Sequence, residues 1–70
     1  MTPDEIRERI DKIRRMADDD ADERAHSDED VLHQDVLSAI ADGTLCGDGA
    51  REAAALALTT RDVTFSRWCA

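Results

Sequence analysis

Apolar residues recur at helical spacing over the first part of the chain. The intervals are four, three and four residues along the series Ile6, Ile10, Ile13 and Ala17. Such spacing places the side chains along one narrow stripe of a helix. Thr2 and Glu5 stand at the positions of a capping box, and Pro3 suits the first helical position. The pattern therefore predicts a first helix that starts next to Thr2.

The polar faces of this first helix carry acidic residues four positions before basic ones. The pairs are Glu5–Arg9, Glu8–Lys12 and Asp11–Arg15. Each pair of this kind adds about 0.2–0.5 kcal/mol to the stability of a helix. We therefore expect these three ion pairs to support the helix that the apolar stripe predicts.

A second apolar stripe follows an acidic run and consists of Leu32, Val36, Ala39 and Ile40. The acids of residues 18–23 either link two helices or begin the second one, near the positive end of its dipole. Ser27 and Asp30 offer a later start that resembles a capping box. Gly43 is typical of a helix end. The prediction is a helix that starts somewhere in residues 20–28 and ends at about residue 42.

The remaining residues predict a loop, a third helix and a short turn. All three glycines lie in residues 43–49, which predicts a loop there. An alanine-rich helix is expected from Ala50 to about Thr59. Thr64 is a candidate cap for a last short turn that presents Phe65 and Trp68, either as core residues or as binding anchors. No strand pattern persists for five residues.

These elements predict an all-α fold within a single small domain, residues 1–70. We expect a small bundle of three helices plus a short C-terminal helical turn, with the first two helices forming an antiparallel hairpin. Leu, Ile, Val and Phe number only 13 of 70 residues, whereas 11 are Ala. A core this thin yields only a few kcal/mol of stability without further help. The isoleucine stripe would pair helices within one chain or between two, so a homodimer is one hypothesis.

Charge changes this picture because it is concentrated in one segment. The formal net charge is −8, and residues 18–30 hold eight acids and one base, a local charge of −7. Such a chain is poorly suited to bind a nucleic-acid backbone, whose affinity comes from cationic contacts. It favours a basic protein partner, or mimicry of a nucleic acid. The predicted partner-binding residues are Asp19, Asp22, Glu23, Asp28 and Glu29.

Two patterns in the acidic segment are alternatives with metal chemistry. The spacing of Asp18, Asp20, Asp22 and Glu29 matches the acidic positions of an EF-hand calcium loop. Glu23 stands where that loop requires glycine, which counts against calcium. His26, Asp30 and His33 fall on one helix face and suit zinc or nickel, but a symmetric partner chain or a fourth ligand such as Cys46 would be needed. The ordinary interpretation of that face is a solvated polar surface, and no cofactor is expected.

Catalysis, export and membrane insertion have little support in the sequence. A chain of 70 residues is too short for a Rossmann unit or a barrel, and its glycines lack the lysine of a phosphate loop. We therefore expect a non-enzymatic protein. No stretch approaches the roughly 20 apolar residues of a membrane span, and the N-terminal residues lack the apolar core of a signal peptide. A cytoplasmic location is expected. Cys46 and Cys69 could form one disulfide bridge, but reduced thiols are the expected state in that compartment.

The C-terminal residues Asp62-x-x-Phe65-x-Arg67-Trp68-Cys69-Ala70 carry a resemblance. They resemble the C-termini of small uncharacterised proteins of actinobacteria and their bacteriophages, and the first ten residues have a similar character. The resemblance implies a bacteriophage origin, in which case the protein would act in the host cytoplasm. It implies no activity, cofactor or site residue.

Overall fold

Three α-helices and one 3₁₀ helix make up the computed structural model, which describes residues 1–67. The helices are α1 (Pro3–Asp18), α2 (Asp22–Ala41), α3 (Gly47–Leu58) and the 3₁₀ helix Thr59–Asp62. No strand occurs in residues 1–67. This architecture confirms the predicted all-α fold, with a short helical turn after the third helix. That turn lies before Thr64, and Trp68 and Cys69 lie outside the described residues.

The start of α1 and its buried stripe follow the sequence pattern closely. Thr2 Oγ1 accepts a hydrogen bond from the Glu5 backbone N–H at 3.2 Å, which caps the first turn. Three isoleucines face the core with 0%, 3% and 1% of their surfaces exposed, and these are Ile6, Ile10 and Ile13. The stripe is therefore covered by this chain itself and is not exposed for pairing with a second copy.

The first two helices form an antiparallel hairpin, as predicted. Arg9 Nη1 lies 2.9 Å from Asp35 Oδ2, and Lys12 Nζ lies 3.9 Å from Asp28 Oδ2. Arg9 precedes Lys12 on α1, whereas the partner of Arg9 follows the partner of Lys12 on α2. The two helices therefore run in opposite directions. A turn of only three residues joins them, so the predicted start of α2 within residues 20–28 is confirmed at Asp22.

The predicted ion pairs within α1 are not the ones that form in residues 1–67. Arg9 and Lys12 reach across to α2, and Asp11 pairs instead with Arg14, three residues away, at 3.4 Å. Pairs within a helix and exposed pairs between helices differ little in energy. Packing α2 against α1 therefore decides which acid each base meets.

α3 begins three residues earlier than predicted. Gly47 is its first residue, and the extended Cys46 precedes it, so the connecting loop shrinks to residues 42–46. Gly43 has a φ of +85° just past the end of α2, a conformation that glycine adopts without strain. Ala53 and Ala57 pack into the core with 2% and 4% exposure. Their small side chains let α3 lie close to the other two helices.

The core is a single cluster in which three of the eight buried residues are alanines. Its buried members are Ile6, Ile10, Ile13, Ala25, Leu32, Val36, Ala53 and Ala57. Phe65 is half-buried and packs against this cluster, which agrees with its interpretation as a core residue and not with that as a binding anchor. None of the helices in residues 1–67 is both long and apolar enough to cross a membrane.

The turn between α1 and α2 places an aspartate where glycine is usual. Asp20 has a φ of +60°, and it sits in a Schellman motif closed by hydrogen bonds from Ala21 N to Met16 O and from Asp20 N to Ala17 O. A non-glycine residue in this region is strained because its Cβ crowds the backbone. The acidic run therefore ends α1 at some cost in stability.

We predict that Asp20→Gly raises the free energy of unfolding by about 0.5–1 kcal/mol, since glycine relieves the left-handed strain. Urea denaturation followed by circular dichroism measures the change. Asp20→Asn separates the effect of charge from that of conformation. Asp19→Gly is the matched control, because Asp19 has an ordinary φ of −88°. Equal stabilisation by both glycine variants would contradict the prediction.

Candidate functional site

The exposed carboxylates at the junction of α1 and α2 form an acidic turn. Its members are Asp18, Asp19, Asp20 and Glu23, and all four are exposed. Among residues 1–67, no basic nitrogen lies within 4.0 Å of any of these carboxylates. Two of the predicted partner-binding residues, Asp19 and Glu23, belong to this turn and are open to solvent.

Two further predicted partner-binding residues are engaged with other parts of the chain. Asp22 is half-buried, and its Oδ2 accepts a hydrogen bond from the backbone N–H of Ser66 at 3.1 Å. Asp28 is also half-buried and faces Lys12, beside a groove between α1 and α2. Asp22 thus binds the C-terminal part of the described chain to α2, while Asp28 forms an ion pair with α1.

The fifth predicted partner-binding residue, Glu29, is not a surface residue. It is 5% exposed and forms a bidentate ion pair with Arg67, with Oε1 2.8 Å from Nε and Oε2 2.9 Å from Nη2. A carboxylate held in this way is inaccessible to a partner's surface without breaking the pair. Glu29 is therefore not part of an exposed acidic surface, contrary to what the prediction requires, because it is buried and Arg67 occupies its oxygens.

Arg67 makes contacts on every side of its guanidinium group. Nη2 also donates to the backbone oxygens of Thr60 and Val63 at 3.0 and 3.2 Å. The guanidinium carbon lies 3.8 Å from the centroid of the Phe65 ring, a cation–π contact. The side chain therefore ties residues 63–67 to both the 3₁₀ helix and α2.

The electrostatics of this pair follow from its geometry. The hydrogen bonds from Arg67 lower the pKa of the Glu29 carboxyl below its ordinary value, although burial alone would raise it. The same hydrogen bonds raise the pKa of Arg67. Both groups are thus charged over the whole neutral range, and the pair is an ionic one.

Sequence reasoning missed the role of Arg67, although the α2 pattern contains a signal for it. Ala25, Glu29, Leu32 and Val36 follow one another at intervals of four, three and four residues. Glu29 therefore stands in the apolar stripe of α2. A carboxylate there needs a buried base, since an unpaired buried charge is strongly unfavourable. The signal identifies the need for a base but not which arginine supplies it.

The predicted zinc or nickel ligands are not brought together as a set. His33 turns toward α3, where its Nε2 lies 3.0 Å from both the Ala57 oxygen and Thr60 Oγ1. His26 remains near Asp30, with 3.6 Å between Nε2 and Oδ1. Glu29 takes the third position, because one ligand atom from each of His26, Glu29 and Asp30 lies within 4.8 Å of the others.

The EF-hand alternative does not fit the backbone. A calcium loop of this type needs 12 residues wrapped around the ion. Here Asp18 ends α1, only three residues form the turn, and residues 22–29 are helical. Asp18, Asp20, Asp22 and Glu29 therefore cannot converge on one ion as the loop requires, and Glu29 is bound to Arg67.

Comparison with known proteins yields no relative from which a function could be inferred. No family model, no curated protein and no solved structure matches this chain. The acidic turn and the polar cluster around Glu29, formed with His26, Asp30 and Arg67, are therefore the basis for inferring a function.

We predict that Arg67→Gln lowers the free energy of unfolding by about 2–4 kcal/mol, since it leaves the buried Glu29 charge without its partner. Arg61→Gln is the matched control, because Arg61 is exposed and forms no ion pair in residues 1–67. Its effect should stay within about 0.5 kcal/mol. Urea denaturation of the two variants makes the comparison. Equal losses of unfolding free energy in the two variants would show that Arg67 contributes no more to stability than an exposed arginine does.

Stability should also depend on pH through Glu29. Its folded pKa lies below the ordinary glutamate value of 4.5, so the ion pair contributes fully above that value. This contribution is lost as the pH falls through the lower folded pKa. Unfolding measured from pH 7 to pH 3 should therefore show a steeper acid loss in the native chain than in Glu29→Gln. Glu23→Gln should keep the steep loss, and its disappearance there would contradict the assignment.

Proposed function

We propose that this chain is a small, acidic, non-catalytic protein-interaction protein that binds a basic surface of another protein through the acidic turn. The observation that carries the proposal is a group of four exposed carboxylates without an ionic partner in residues 1–67. Three other acids of α2 have such partners, because Asp28, Glu29 and Asp35 each face a base. The acidic turn therefore gathers four exposed carboxylates without an ionic partner within residues 18–23, at one end of the helical hairpin.

The position of these acids opposes local stability, which supports a role outside folding. Asp18, Asp19 and Asp20 lie at the C-terminal end of α1, where the helix dipole disfavours negative charge. Asp20 adds backbone strain. Glu23, in contrast, lies in the first turn of α2 and is favoured there. Natural chains tend to keep locally unfavourable residues at functional sites, since replacing them would otherwise improve the fold.

The chemistry of the turn indicates the kind of partner. Clustered carboxylates attract a patch of Lys and Arg, raise the association rate and make binding sensitive to salt. A second copy of this chain would present the same negative charge, so the proposed partner is a different, basic protein. Mimicry of a nucleic acid would need acids in two rows, whereas these acids lie at one turn. A bacteriophage origin would make the partner a host protein.

A charge-matched pair of variants tests the proposal. The first replaces the acidic turn by Asp18→Asn, Asp19→Asn, Asp20→Asn and Glu23→Gln. The control removes four exposed acids without ionic partners in residues 1–67, by Glu5→Gln, Glu8→Gln, Asp48→Asn and Asp62→Asn. Both carry a net charge of −4, which is the native −8 less four acids. Each is immobilised and used to capture basic proteins from an actinobacterial lysate at increasing salt concentrations.

We expect the native chain and the control to retain the same basic protein, and the acidic-turn variant to lose it. The retained protein should elute as salt increases, because the contact is ionic. Its affinity for the purified chains is then measured by calorimetry. Equal loss in both variants would mean that net charge alone attracts the protein, and it would refute the acidic turn as the binding site.

A further inference from the structure

A groove runs along the side of α1 that faces α3 and the residues after it. It consists of two cavities, of about 280 Å³ and about 330 Å³. The first cavity is lined by Ile10, Leu56 and Thr59, and the second by Ala17, Asp18 and Val63. Arg14 lines both cavities, so they are continuous and together form what is named here the α1–α3 groove.

The groove leads from the side of the core to the acidic turn. Ile10 is buried and Leu56 is half-buried, and both belong to or pack against the core cluster. At the other end, Asp18 is a member of both the second cavity and the acidic turn. The eight positions from Ile10 to Asp18 correspond to about 12 Å along the helix. The apolar cavity and the turn are therefore close enough to contact one short segment of a partner.

The bases on the rim of the groove each face an acid of this chain. Arg7 Nη1 lies 3.2 Å from Asp4 Oδ1, and Arg14 Nη1 lies 3.4 Å from Asp11 Oδ1. Asp18, in contrast, has no basic nitrogen within 4.0 Å in the part of the chain that the structure describes. The groove therefore combines apolar side chains at one end with uncompensated negative charge at the other.

We propose that the α1–α3 groove binds an extended segment of the basic partner, with one apolar side chain between Ile10 and Leu56 and basic side chains at the acidic turn. The inference rests on the proposed function and adds an apolar anchor to an ionic contact. Ionic contacts mainly set the association rate and the specificity, whereas side chains buried in pockets carry much of the affinity. An extended chain covers about 3.3–3.6 Å per residue, so the apolar residue and the first basic residue stand about three or four positions apart.

Charge selects this occupant over the alternatives. A second copy of the chain carries a net charge of −8 and would bring further acids to the acidic turn. An acidic segment of another protein would be repelled in the same way. A basic segment gains ionic contacts at the turn, and the methylene groups of its lysine or arginine side chains pack on Ala17 and Val63.

Titration of the isotope-labelled full chain with synthetic peptides, followed by NMR amide shifts, tests the proposal. The first probe is a seven-residue peptide with blocked termini, with leucine second, arginine fifth and sixth, and glycine elsewhere. Its reversed sequence covers the opposite chain direction. The control probes replace leucine by serine and keep the charge. We expect the amides of Ile10, Leu56 and Thr59 to shift only with a leucine probe, and those of the acidic turn to shift with every probe.

Affinities from the same titrations provide a second readout. In the better of its two directions, the leucine probe should bind at least about tenfold more tightly than its serine counterpart, as burial of a leucine side chain predicts. Ala17→Phe fills the second cavity and should remove this difference. Ala55→Phe is the matched control, because Ala55 is exposed on α3 and lines neither cavity. Circular dichroism verifies that both variants fold, and the titration of the native chain decides by itself if Ala17→Phe does not.

The outcomes separate this inference from the proposed function. Shifts confined to the acidic turn, with equal affinities for leucine and serine probes, would refute the groove and leave the proposed function standing. Equal loss of the leucine effect in Ala17→Phe and Ala55→Phe would also refute the groove. Absence of shifts with every probe would count against both. Groove amides that shift on dilution of the chain without peptide would show that a second copy occupies the groove, and would overturn the proposal.

Discussion

The ion pair between Glu29 and Arg67 is the contact on which the arrangement of this chain depends. It joins residues that are 38 positions apart and connects the middle of α2 with the end of the described chain. Arg67 also binds the backbone oxygens of Thr60 and Val63, so one side chain orders the segment after α3. Without that segment, Phe65 would leave the core, and the remaining cluster would consist of few large residues.

Polar contacts have an unusual weight here because the apolar core is rich in alanine. The buried residues of α3 are the two alanines Ala53 and Ala57, whose small side chains add little apolar surface to fix the position of this helix. His33, Ala57 and Thr60 meet at hydrogen-bond distances of 3.0–3.1 Å, and Thr60 is fully buried. We infer that these hydrogen bonds and the Glu29–Arg67 ion pair together fix the register of α3 against α2, and that of the residues after α3.

The acidic segment is continuous along the chain but has two separate roles in space. Its early members surround a tight turn and face solvent, while its later members belong to α2. Helical geometry turns Asp28 toward Lys12 and Glu29 toward Arg67, so these charges stabilise the tertiary structure. Only the acidic turn keeps an uncompensated cluster of charge in residues 18–30. The composition alone favours one uniform acidic binding surface over residues 18–30. The structure divides these acids into an exposed group at the turn and a group that is paired within the fold.

Short-range features determined the helices. The Thr2 cap, the isoleucine stripe and the end of α2 just before Gly43 depend on neighbours within one or two turns. The sequence therefore predicted α1, α2 and their hairpin. The partner of each charge was decided only by tertiary packing. Arg9 meets Asp35 instead of Glu5, and Glu29 meets Arg67 across 38 positions, because competing ion pairs differ little in energy and burial selects among them.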